Sequence, residues 1–348
     1  MTIIHIVTSF MPGGAEMLVC DLANRQAETH RVHLLILHGK GDEALLQQLD
    51  TRISVHRLHR PPRSLSPRYM LRLHRLMQQL RPDVLHYHLH RNRLLIHYPA
   101  RHIITVHGMP GSRSVLTHLA LKLADKVVGI SSAVCQSLKK QYRLHHTTMI
   151  HNGIHTEQLT PARHIHYPLK LVNVARLDPT DKAQDILIRA IHLLRLREHP
   201  LHCELDLLGD GAGRPMLEAL VQQLGLQHVV HFRGQLPRQE IYRRLSGYDI
   251  MVHPSRSEGF GLAVAEGMAA GLPVLVSDCP ALAEVIRQGE LGELFTTDSP
   301  ESCADAIEYM AGHPEETRHK AADAREYAAG HYSVRAMADA YERLYLSV

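Results

Sequence analysis

Several absences narrow the chemistry of this 348-residue chain before any motif is read. No apolar run approaches the roughly 18–20 residues that a membrane-spanning helix needs. The chain enters a strand at once (Thr2-Ile3-Ile4-His5-Ile6-Val7), so no signal peptide is expected. Five cysteines, at 20, 135, 203, 279 and 303, are scattered without the paired spacing of a metal knuckle or a disulfide framework, so a reducing cytoplasm is the expected compartment. No Asp-x-Asp sequence occurs anywhere. The basic residues lack an interleaved aromatic stacking platform, which counts against nucleic acid as a partner. What remains is 45% hydrophobic and 21% charged, the profile expected of a soluble globular chain, and long enough for two domains.

The charge is unevenly spread. Residues 51–103 hold eleven arginines, from Arg52 to Arg101, against the single acid Asp83; that segment is +10 and the remainder −6. Within it, Tyr69-Met70-Leu71-Arg72-Leu73-His74-Arg75-Leu76-Met77 has helical apolar spacing. A basic amphipathic helix suits an anionic membrane surface or a phosphorylated acceptor, and equally a solvated face with no ligand. Histidine is abundant, at 29 residues, and surface or half-buried roles are expected for most. His86, His88 and His90 alternate on one strand face. No carboxylate or cysteine clusters with them, so no metal site is assigned there.

Apolar strand-like runs alternate with helical patterns throughout. Strands are expected near 3–8, 32–38, 53–57, 83–88, 102–107, 126–131 and 147–151, then near 170–175, 203–208, 229–233, 249–253, 273–277 and 292–295. Such alternation predicts α/β architecture with parallel sheets covered on both faces, in two doubly wound Rossmann-like domains facing a central cleft. A polar stretch at 156–168 marks the boundary, giving domains 1–160 and 161–332. The amphipathic pattern at 333–348, with Met337, Tyr341, Leu344 and Tyr345 on one stripe, forms a terminal helix.

The most telling stretch is Glu258-Gly259-Phe260-Gly261-Leu262-Ala263-Val264-Ala265-Glu266. It follows the strand-like Asp249–Pro254 and opens a small-residue helix. A helix N-terminus with free amides attracts phosphate, and carboxylates beside it suit paired sugar hydroxyls, so the stretch points to a nucleotide sugar. Met11-Pro12-Gly13-Gly14-Ala15-Glu16 is a second strand-to-helix turn where the backbone can approach a ligand closely. Arg176 ends an expected strand and Lys182 begins the next helix, so the two can converge on one anion, or else pair with Asp178 and Asp181 on the surface. Gly209-Asp210-Gly211-Ala212-Gly213-Arg214 has a Gly-x-Gly but places Arg214 where the dinucleotide fingerprint needs its third glycine. His107, before Gly108, closes a strand and can hydrogen-bond a substrate or move a proton near neutral pH.

In this order the motifs resemble the retaining family-4 glycosyltransferases of GT-B architecture. The resemblance runs through Gly13–Glu16, Asp83–His88, Thr105–Gly108, His151-Asn152-Gly153-Ile154, Arg176 with Lys182, Gly209–Gly211 and Glu258–Glu266. It implies an N-terminal acceptor domain, a C-terminal donor domain, and a last helix that returns to the first domain. It further implies that Arg176, Lys182 and the amides of Gly13, Gly14 and the Gly259-Phe260-Gly261-Leu262 turn hold a donor pyrophosphate. Glu266 would grip the ribose, Glu258 would read the sugar, and Gly209, Gly211, Arg233 and Gly234 would line the donor side. His107 would sit beside the reacting carbon, with Glu16 and His88 toward the acceptor. Where the family often has glycine after the lysine, this chain has Ala183, a change that could shift the helix start.

The implied activity is transfer of a hexosyl unit from a nucleotide-diphosphate sugar, UDP favoured and GDP-mannose the alternative, to a glycan or lipid-linked hydroxyl in bacterial surface polysaccharide synthesis. With no Asp-x-Asp, fixed cations would replace a metal, so no cofactor and no divalent ion are expected. For the basic segment 51–103, peripheral contact with the inner face of the membrane and contact with the acceptor both stay open. The competing readings are a sugar-nucleotide epimerase or phosphorylase of the same fold, or a non-catalytic nucleotide-sugar-binding protein.

Overall fold

The computed structural model describes residues 1–61, 64, 66–88, 98–110, 115–144, 146–161 and 167–347. The chain forms two units, one made of residues 1–153 with 334–348, the other of residues 154–333. His90 and three arginines of the basic segment, Arg63, Arg91 and Arg93, lie outside the described residues.

The first unit is built on β1 (Thr2–Val7), β2 (Arg31–Ile36), β3 (Ser54–Arg57), β4 (Val84–His88), β5 (Arg101–Val106), β6 (Lys126–Gly129) and β7 (Thr147–Met149). These strands lie in the order β3-β2-β1-β4-β5-β6-β7, all parallel. The second unit has β8 (Leu169–Val174), β9 (Cys203–Leu208), β10 (Val230–Gly234), β11 (Ile250–His253), β12 (Val274–Ser277) and β13 (Glu293–Phe295) in the order β10-β9-β8-β11-β12-β13, again parallel. The central strands of both sheets are buried, which is why they read as nearly unbroken apolar runs, whereas the edge strands β3 and β7 are short, polar and partly exposed. Each sheet reverses direction beside its first strand, between β1 and β4 and between β8 and β11. Parallel sheets bind ligands beyond the carboxyl ends of strands at such switch points.

Local chemistry fixes the helix starts. Ser131 caps the Ser132–Tyr142 helix by accepting from the Val134 amide at 3.3 Å, and Ser299 caps Pro300–Gly312 through the Ser302 amide at 3.0 Å. The Val334–Leu346 helix buries Met337, Tyr341, Leu344 and Tyr345, the stripe read from sequence, and belongs to the first unit. The chain changes unit between Gly153 and Ile154, earlier than the polar stretch suggested. The Ile154 amide bonds to the Tyr332 carbonyl at 2.8 Å and Ile154 bridges to Ser333, so the segment after Gly153 is already tied into the second unit.

Candidate functional site

At the switch point of the second unit, two loops meet. Buried Asn173 on β8 donates from Nδ2 to the Val252 carbonyl of β11 at 2.8 Å, holding the strand ends side by side. Beyond β8 the chain turns through Arg176, and Asp178 caps the short helix Pro179–Lys182 by accepting from the Thr180 amide at 3.2 Å. Beyond β11 it carries Glu258. Lys182 Nζ pairs with Glu258 Oε1, and His253 Nε2 at 2.9 Å and Ser255 Oγ at 3.2 Å reach the same oxygen. The Glu258 side chain is only 13% exposed. Burial pushes its carboxyl up, but the hydrogen bond and charge of His253 and the Lys182 ammonium outweigh that and bring it down to about 2. Arg176, 64% exposed, rests on Asp178 Oδ2 at 2.9 Å. The surface pairing weighed from spacing therefore describes Arg176, whereas Lys182 turns inward to Glu258.

Gly261 precedes the Leu262–Ala269 helix with φ +105°, a left-handed conformation that L side chains rarely adopt, and an added Cβ would stand 2.6 Å from Leu282 Cδ2. No side chain caps this helix, so its first-turn amides are available to an anion. Glu266, one turn on, accepts from the Tyr242 hydroxyl at 3.0 Å. Phe260 is buried edge-to-face on Tyr332, and its ring supports the turn from beneath.

Three of the expected donor residues, Gly209, Gly211 and Arg233, take other roles. Added Cβ atoms on Gly209 and Gly211 would stand 2.0 Å from the Ala175 carbonyl oxygen and 2.5 Å from that of Leu177, and the next glycine, Gly213, sits 2.2 Å from Pro179 Cδ by the same measure. The Gly209 amide is spent on the Gly234 carbonyl (2.8 Å) and that of Gly211 on Asp210 Oδ1 (2.8 Å). This glycine turn is a bed for the Arg176 loop. Arg233, expected beside the donor, turns instead to Asp206 Oδ1 at 2.9 Å and lines a cavity of about 380 Å³ with Lys170, Glu204 and Tyr248. From the other side Gln184 Nε2 donates to the Arg176 carbonyl at 2.8 Å, while Arg256 grips the Pro179 carbonyl, Asp185 and Asp298. Ala183 joins the Pro179–Lys182 helix to the following helix, Gln184–Leu196, at φ +51°, fully buried, in the left-handed conformation that glycine adopts without strain. The lysine nevertheless keeps its place on Glu258.

In the first unit, Gly13 precedes the uncapped helix Gly14–Gln26, and the Glu16 carboxylate folds back over it, 2.7 Å from where a Cβ would be. His107 follows β5 and bonds through Nε2 to His88 Nδ1 at 3.0 Å. His88, expected at the acceptor, faces inward instead: it is 8% exposed and its Nε2 meets His5 Nδ1 at 2.9 Å. His5 and His86 are wholly buried, against the expectation of surface or half-buried histidines. Burial lowers His5 to about 4, its bond to Gln26 opposing weakly, and holds His86 and His88 well below the ordinary value. The sequence alone does not single out His253, Ser255, Tyr242, Gln184 or Arg256. Only His253, ending an apolar strand ahead of Pro254, carries a local signal.

Comparison with known proteins agrees with this geometry. The model for Glycosyl transferases group 1 matches residues 160–328, and that for Glycosyltransferase Family 4 matches 12–158. The chain belongs to the family-4 glycosyltransferases, with the GT-B fold. It is similar to a D-inositol 3-phosphate glycosyltransferase of Thermomonospora curvata, 32% identical over 158 residues, 43% of this chain and 36% of that protein. A protein of the same description from Streptomyces scabiei is 25% identical over 225 residues, covering 59% of this chain and 50% of its own length. The match thus spans about a third to a half of these curated relatives. Among solved structures, Anabaena HepE in complex with UDP superposes with a TM-score of 0.83 at 20% identity over 100% of both chains. WaaG, a glycosyltransferase involved in lipopolysaccharide biosynthesis, does so with 0.72 at 18% identity over 97% and 98%. Among the described residues no helix is long and apolar enough to cross a membrane.

Proposed function

We propose that the protein is a retaining, metal-independent hexosyltransferase that uses a UDP-sugar and a glycan or lipid-linked hydroxyl in bacterial surface polysaccharide assembly. The observation that carries this reading is the Lys182–Glu258–His253 cluster beside the uncapped Leu262–Ala269 helix. An ammonium has three donors, so Lys182 can hold Glu258 and a donor phosphate together. Departure of the diphosphate builds negative charge, which Arg176, Lys182 and the helix amides would stabilise most in the transition state. Glu258 would then offer its carboxylate to a sugar hydroxyl and Glu266 to the ribose, with Tyr242 holding Glu266 in position. The complex of HepE with UDP-glucose supports UDP over other bases. The N-terminal unit would receive the acceptor, with His107 beside the reacting carbon. Its helix Pro67–Leu80 exposes Arg68, Arg72 and Arg75 next to Met70 and Leu71, and this arrangement supports peripheral contact with anionic lipid.

Thermal shift against a panel of nucleotide sugars tests the donor. A ligand at about 100 times its dissociation constant stabilises the fold by roughly 2.7 kcal/mol, and UDP-sugars should give the largest rise. A UDP-sugar response no larger than that of the other nucleotides would exclude the assignment. UDP release from the selected donor should persist in excess EDTA; its loss, restored by Mg²⁺, would refute metal independence.

A further inference from the structure

We infer that the buried series Gln26–His5–His88 sets the tautomer of His107, which makes these three positioning residues; the inference rests on reading His107 as part of the site. Gln26 presents Oε1 to His5 Nε2 at 2.8 Å. A carbonyl only accepts, so Nε2 carries the proton and the Nδ1 of a neutral ring must accept. The neighbour of His5 Nδ1 is His88 Nε2, which therefore donates. His88 Nδ1 is then the acceptor for His107 Nε2–H. Three rings in succession are Nε2–H tautomers, and His107 is left with a basic Nδ1.

The argument requires neutral rings, and burial supplies them for His5 and His88. A second branch from Gln26 runs in the same sense. Gln26 Nε2 donates to Tyr345 Oη at 3.4 Å, Tyr345 donates to His86 Nδ1 at 2.7 Å, and His86 Nε2–H meets Thr105 Oγ1 at 2.7 Å. A flipped Gln26 amide reverses every link and gives His107 Nδ1–H. Nitrogens of His5, His86 and His88 also lie within 4.8 Å of one another, close enough to suggest a metal ion. Both nitrogens of each of these rings, however, already bond within the series or its branch.

The test is two-bond ¹H–¹⁵N correlation NMR on the ¹⁵N-histidine-labelled full chain near pH 7.5, with the His107→Asn spectrum assigning His107. Nε2–H with bare Nδ1 is expected for His5, His88 and His107. Nδ1–H at His107, or stoichiometric zinc, nickel or iron by elemental analysis, would overturn the inference. In Gln26→Met, which matches the length but offers no oxygen, His107 should show both tautomers, and Gln26→Glu should return it to Nε2–H. UDP-glucose turnover by Gln26→Met should fall about tenfold in kcat with KM little changed; an unchanged tautomer there refutes the series. If Gln26→Met does not fold, the wild-type spectrum still decides. A thermal shift with no response to UDP or UDP-glucose would strike at the proposed function, whereas the tautomers of the buried rings would still be read directly from the spectrum.

Discussion

In the first unit, His5, His86 and His88 lie in the core with rings, an amide and hydroxyls as partners, and all are held neutral by burial. In the second unit the largely covered Glu258 is ringed by Lys182, His253 and Ser255 and is held charged. Both solutions satisfy buried polar groups, but they differ in what they can do. A neutral series transmits donor and acceptor direction from one ring to the next. An ionic cluster stores a full charge beside the helix terminus, where a diphosphate can be met. Removing one member of a buried pair leaves an uncompensated charge, at roughly 3–5 kcal/mol, whereas a neutral series loses about one hydrogen bond per break.

The sharpest way to break this contrast is Lys182→Ala. Transfer, measured as acceptor-dependent UDP release, should fall about 10²–10³-fold. His253 and Ser255 still hold Glu258, so far-UV circular dichroism should be unchanged. Turnover within a few-fold of wild type would remove Lys182 from the site.

Acid comes next, because the two regions answer it in different windows. His5 has its folded value lowered to about 4 from 6.5, so its neutral form contributes stability that is complete above pH 6.5 and is lost as pH falls toward 4. That loss is on the order of 3 kcal/mol for His5 alone, and His86 and His88 act in the same direction. The Glu258 contribution is complete above about 4.5 and disappears only as pH falls toward 2. Urea midpoints measured from pH 7.5 downward should already decline between 6.5 and 4; a flat curve there would contradict the neutral-core account. Glu258→Gln should abolish the limb below pH 4.5, and at neutral pH, with Lys182 left unpaired, it should lower stability by roughly 3–5 kcal/mol.

The gentlest probe is Ala183→Gly. It relieves a left-handed alanine but removes a buried methyl and loosens the unfolded chain, so the midpoint should move by less than about 1 kcal/mol. A larger loss would show that the Ala183 methyl, and not the turn, orients Lys182.

The central strands were readable because a parallel strand buried on both faces leaves an apolar run, and runs such as Ile250–His253 keep that signal whatever surrounds them. The Glu258–Glu266 turn was readable for a related reason: its glycines and carboxylates lie within one short segment. Partnerships between segments were not. Lys182 and Glu258 are 76 residues apart and Tyr242 reaches Glu266 from another helix, so only the placement of β8 beside β11 makes them neighbours. Likewise the alternation of His86 and His88 was visible, but His5 joins them only because β1 lies in register with β4. Gly209 and Gly211 show the converse. Their pattern was legible and their role was not, since a glycine that admits a ligand and one that admits a loop look alike in sequence.

The terminal helix Val334–Leu346 has a consequence for the order in which the molecule is made. Tyr341 and Tyr345 supply hydroxyls to Thr105 and His86 in the first unit, yet they are translated after the whole of the second. On the ribosome, residues 154–333 can close their own sheet while the first unit still lacks the last two partners of its histidine core. The earliest strands synthesised are thus among the last to have their polar interior satisfied.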